Sequence, residues 1–72
     1  MNAAYIRAKV KAYPYATPAI QQQILRDIGV CAGLLPSHRQ HAYLAPKDAR
    51  AIAQWLEQNA VSLKLPPLEI NV

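Results

Sequence analysis

Few residues in this chain can do chemistry, so their spacing decides what chemistry is open to it. His38 and His41 stand three apart, which puts two imidazoles on one helix face at metal-ligand separation. Two ligands do not close a coordination shell, and the nearest carboxylates are not placed to complete one, so neither a metal nor a cofactor is expected. The acids, Asp27, Asp48, Glu57 and Glu69, are scattered. General acid–base or nucleophilic catalysis needs paired groups held in one pocket, and no Cys-His or Ser-His-Asp grouping has a supporting context. The chain is therefore expected to be non-enzymatic. The single cysteine, Cys31, excludes an internal disulfide and a cysteine-based zinc site, and it reads as a small buried apolar residue suited to a reducing compartment.

Binding chemistry remains. The net charge of +4 and a pI near 9.6 are compatible with an anionic partner, either nucleic acid or an acidic protein surface. Arg7, Lys9 and Lys11 form the only cluster of bases, a modest patch and not a polybasic arm. Arg7 and Lys11 are expected on an exposed edge with Tyr5 beside them, the composition of a contact surface or, more blandly, of a solvated face near a loose chain end. The window Ser37 to Tyr43, SHRQHAY, sets His38, Arg39 and Tyr43 where phosphates or a protein surface would be touched. The aliphatic C-terminal residues, Leu68 and Ile70 among them, either cover the core or add a strand to a partner.

Helices must position these groups. Ala3, Ile6, Val10 and Tyr13 fit one stripe, predicting a first helix to Ala12 that stops before Pro14, followed by an extended Tyr13–Ala16 link. Thr17 with Pro18 signals a second helix whose buried face is Ile20, Ile24, Leu25 and Ile28, stopped by Gly29 in a left-handed conformation, while Gln21 to Gln23 and Arg26 face water. Gly29 to Pro36 reads as a tight buried turn or one irregular helical turn. Ser37 and Gln40 match a capping box, predicting a short helix from His38 to about Leu44. The clearest element is Pro46 to Asn59. Proline suits its first position, Asp48 meets the positive end of the helix dipole, and Ala49, Ile52, Ala53, Leu56 and Ala60 make one stripe. Trp55 sits at the stripe's edge, half core and half anchor. Beyond it, Val61, Leu63 and Leu65 and then Leu68, Ile70 and Val72 alternate like strands, interrupted by Pro66 and Pro67.

These elements predict an all-α fold, a compact bundle of three or four short helices spanning 1–60, with an extended tail at 61–72. A standard helix-turn-helix is disfavoured, because registering its turn on Gly29 puts Gly33 and Pro36 inside the recognition helix, where proline costs about 3 kcal/mol. No run of apolar residues is long enough to span a membrane and no secretory signal is present, so a cytoplasmic location is expected.

One family likeness is carried by specific residues. Gly33-Leu34-Leu35-Pro36 with Arg39, then Tyr43-Leu44-Ala45-Pro46 with Asp48 and Ile52, resembles the wing and downstream helix of MerR-type transcription regulators. The resemblance implies that Arg39 and Tyr43 lie by a DNA backbone. Upstream, Asp27 to Ala32 departs from that family's helix-turn-helix. In size and in its basic, helical character the chain is also similar to small phage-encoded proteins that bind host RNA polymerase. The expected function is thus a small regulator that docks on a larger protein, with RNA polymerase as the leading partner, through Tyr5, Arg7 and Lys11 and secondarily the tail. The alternatives are direct DNA binding by a degenerate winged module, or a structural or assembly subunit.

Overall fold

The computed structural model describes residues 2–39 and 43–68. Three helices make the fold, with no strand among the described residues: α1 (Ala3–Ala12), α2 (Pro18–Cys31) and α3 (Pro46–Asn59). Asn2 starts α1 by accepting the Tyr5 amide on Oδ1 at 3.1 Å, and the helix buries Ile6 and Val10. Tyr13 continues that stripe into the core, but the link after it is a 3-10 turn, Tyr13–Tyr15, and not the extended connection expected. Pro14 has no amide to satisfy there, and the Tyr13 carbonyl accepts both the Ala16 amide and the Gln21 side chain, which closes the turn.

Helix α2 is the hub, packing against both other helices and burying Ile24, Leu25, Asp27, Ile28 and Gly29. Thr17 caps it as its sequence predicts, Oγ1 accepting the Ile20 amide. Three expectations fail here. Gln21, Gln23 and Arg26, expected to face water, are half-buried and hydrogen-bonded to Tyr13, Asp27 and Gln23 respectively. Ile20 is 53 % exposed, because the stripe runs one turn past the core that α1 and α3 supply. Gly29 does not stop the helix. It is buried where α2 meets α3, and a Cβ there would stand 2.9 Å from Ile52 Cδ1 and from Leu35 Cδ1. The stop is Gly33, whose φ of 79° lets the Leu34 amide reach the Gly29 carbonyl while its own amide reaches Val30.

The helix expected from His38 to Leu44 is also corrected. Ser37–Arg39 form one 3-10 turn, 40–42 lie outside the described residues, and 43–45 carry no helix. Ala45 precedes proline and is held in the extended region at φ −66°, ψ 148°, which leaves Leu44 to plug the core. Helix α3 keeps its predicted bounds and buries Ala49, Ile52 and Leu56, with Trp55 half-buried at the edge.

As far as Leu68, the strand-like alternation after α3 does not form strand. The chain turns helically once more, the Leu63 amide reaching Asn59 and the Leu65 amide reaching Ala60, and Lys64 ends the turn at φ 56°. Val61 is 93 % exposed, whereas Leu65 and Leu68 fold back onto the core. The tail as far as Leu68 therefore supplies cover for the domain. No helix among the described residues is long and apolar enough to cross a membrane.

Candidate functional site

The polar chemistry of the molecule is concentrated between α1 and α2. Asp27 is buried, and its Oδ2 accepts from Lys9 Nζ at 3.1 Å while its Oδ1 accepts from Gln23 Nε2 at 2.8 Å. Arg26 extends the chain by donating to Gln23 Oε1 at 2.9 Å, and Lys9 lies 5.3 Å above the Tyr5 ring. The hydrogen bond to Asp27 holds the Lys9 ammonium above its usual pKa against the opposing effect of burial. The cluster locks two helices together and keeps a carboxylate neutralised inside the core. Its sequence signal was available, since Asp27 falls on the face of Ile24 and Ile28 and lies four residues after Gln23.

This pairing changes the meaning of the N-terminal candidates. Tyr5 is 38 % exposed and sits under Lys9, and Lys11 is exposed in the last turn of α1. Arg7 was expected on an exposed edge, yet it is half-buried and donates to the Leu63 carbonyl at 3.0 Å. Its position on the α1 stripe's flank faces the turn after α3, so it ties α1 to that turn.

The tail candidates separate as well. Leu68 walls a space of about 430 Å³ between α1, α3 and the returning chain, together with Val10, Leu56, Ala60 and Leu65, and Glu57 stands at its rim. Ile70 lies outside the described residues.

In the third set, His38 is exposed and Tyr43 is 77 % exposed, three residues before α3 presents Lys47 and Arg50 to solvent. The Arg39 side chain and His41 lie outside the described residues. Among the described residues no three His, Cys, Asp or Glu side chains gather where they could hold a metal ion.

One exposed region had not been singled out from the sequence. From Pro14 to Ile20 the chain is uncharged and largely exposed, with Tyr15 at 91 % and Ile20 at 53 % exposure. A signal existed, because no charged residue occurs between Lys11 and Arg26. Comparison with protein-family models, with curated proteins and with solved structures gave no match to this chain.

Proposed function

We propose that this chain is a non-enzymatic regulatory protein that docks on an acidic surface of a larger protein. One observation carries the reading. With Lys9 turned onto Asp27, the exposed charged side chains of the described residues are Lys11, Lys47, Arg50 and Lys64 against Glu57, with Arg7, Arg26 and Asp48 half-buried, and they share the surface with exposed tyrosines. Bases so placed steer encounter with an acidic partner, and aromatic groups hold the complex once formed. The chain's likeness to small phage-encoded polymerase-binding proteins makes RNA polymerase the first partner to test, as a modulator of transcription.

The test is retention of partner from a lysate of the cells that make the protein, with and without nuclease, followed by binding to purified RNA polymerase at rising salt. A protein contact centred on apolar groups survives nuclease and weakens modestly with salt. The second reading, direct DNA binding, is favoured by Tyr43 standing exposed shortly before the exposed Lys47 and Arg50 in the chain. It predicts loss of retention with nuclease. It also predicts an affinity drop of about a thousandfold or more between roughly 50 and 200 mM salt if six or more phosphates are neutralised.

A further inference from the structure

The space between α1, α3 and the returning chain holds about 430 Å³, within the size range of small-ligand pockets. Val10, Leu56, Leu65 and Leu68 give it aliphatic walls, and Pro66 and Pro67 stiffen the strap that bounds it. That strap is anchored at its root. Arg7 donates to the Leu63 carbonyl at 3.0 Å, and the Leu65 amide bonds to the Ala60 carbonyl at 2.9 Å, so a ligand would find the wall already in place.

The polarity of these walls is one-sided. Among the described residues that line the space, Glu57 alone has a polar side chain, and no Lys or Arg is among them. Glu57 makes no ion pair among the described residues. Backbone donors are nearly all spent. Val10, Ala53, Leu56 and Glu57 lie inside helices, the Ala60 amide bonds to the Glu57 carbonyl, and the Leu65 amide is taken by Ala60. Pro66 and Pro67 keep their carbonyls but have no amide hydrogen, which leaves the Leu68 amide as the remaining donor. The last turn of α3 also borders the space and carries no basic side chain, so the negative pole of that helix is left for a cation.

We infer that this space is a binding site for a small amphipathic amine, its aliphatic or aryl body between Val10, Leu56, Leu65 and Leu68 and its ammonium at Glu57. The site is separate from the basic docking surface and does not depend on that reading. Walls that accept and scarcely donate select the ligand. An ammonium brings donors and a positive charge, both of which the rim can receive. A fatty acid of the same shape would set a second carboxylate beside Glu57 with no basic group to receive it.

The test titrates the full chain with octylammonium, octanoate and octanol, three probes with one apolar body and different heads, and follows methyl resonances by NMR. Octylammonium should shift the methyls of Val10, Leu56, Leu65 and Leu68 and leave the exposed Ile20 and Leu34 in place. Its affinity should exceed that of octanoate and octanol by roughly fivefold, the size of a well-placed exposed charge pair. Glu57→Gln, a change at an exposed helical position, should remove that preference while the thermal melt stays unchanged. Ala53→Leu, which puts a larger side chain on the wall, should weaken all three probes together.

Octanoate or octanol binding as tightly as octylammonium would overturn the inference, as would an amine preference that survives Glu57→Gln. Shifts at Ile20 and Leu34 as large as those at Leu56 would show general adsorption to apolar surface and overturn it too. No shift with any probe would mean that the space is closed in solution, and the site would be struck.

Discussion

Helices α2 and α3 are closed by the same hydrogen-bonded device, built from different residues. After α2, Gly33 takes φ 79°, its amide bonds to Val30 at 3.2 Å, and the Leu34 amide reaches back to Gly29 at 2.8 Å. After the extra turn that follows α3, Lys64 takes φ 56°, its amide bonds to Val61 at 3.2 Å, and the Leu65 amide reaches Ala60 at 2.9 Å. Glycine adopts the left-handed conformation freely, whereas a residue with a Cβ is strained there by roughly 1 kcal/mol. Such strain persists only where the surroundings over-determine the backbone. At α3 they do so, since Leu65 packs on the core and Arg7 grips the Leu63 carbonyl from α1. At α2 the Leu34 side chain is 40 % exposed, and the glycine itself makes the turn. One end is thus terminated by its own residue, the other by what packs on it.

The largest expected effect breaks the α2 end from inside. The Gly29 carbonyl accepts both the Leu34 and the Leu35 amides, and a side chain there meets Ile52 and Leu35. Gly29→Val should cost about 2–3 kcal/mol by overpacking, read as a lower urea midpoint in Trp55 fluorescence. Next, Gly33→Ala leaves all packing intact, because nothing lies within 4 Å of its added Cβ, and should cost about 1.5 kcal/mol from backbone strain alone. On a chain of this size that lowers the melting temperature by several degrees.

At the other end, Arg7→Met removes the grip on Leu63 and should cost about 1 kcal/mol. Its hydrogen-exchange signature is specific, with earlier loss of protection at the Leu65 amide than at the Leu34 amide. A smaller change of opposite sign comes from Lys64→Gly, which relieves the left-handed strain but loosens the unfolded chain, for a net gain of about 0.5 kcal/mol. If Lys64→Gly destabilises by as much as Gly33→Ala does, the two ends are not equivalent devices and the comparison fails.

The smallest effect is alkaline. Lys9 is raised above its ordinary 10.5 by its hydrogen bond to Asp27, and burial raises Tyr13 above its ordinary 10.0. Both groups hold their proton more tightly folded than unfolded. Their stabilisation is therefore complete below those unfolded values and fades as the pH climbs through the raised folded ones. Tyr13→Phe should flatten the alkaline fall in melting temperature, while Lys9→Met should lower stability at neutral pH by leaving the Asp27 carboxylate without its ammonium.

The candidate surfaces follow the same division. Lys11 was legible as an exposed group because it lies off the apolar stripe of α1, whereas Tyr43 was singled out by its polar window and the family resemblance, and the structure leaves both in solvent. Arg7 was misjudged because its partner is the Leu63 carbonyl, a backbone group remote in sequence that no helical wheel of α1 contains. The exposure of Tyr15 and Ile20 went unmarked because their residue types look like core, and only packing leaves Ile20 half exposed.

By itself the sequence determined the three α-helices, both proline-led helix starts, the Thr17 cap and the buried stripes of Ile6, Ile24 and Ile52. These depend on periodicity and on side chains bonding within a few residues, so local order suffices. Tertiary structure alone decided that Gly29 is a contact point and Gly33 the stop, that 43–45 stay out of helix, and that the apolar alternation directly after α3 becomes a helical turn strapped down by Arg7. Each of those outcomes is set by which distant side chain fills the space beside the backbone, and the order of residues along a chain carries that information only through the fold.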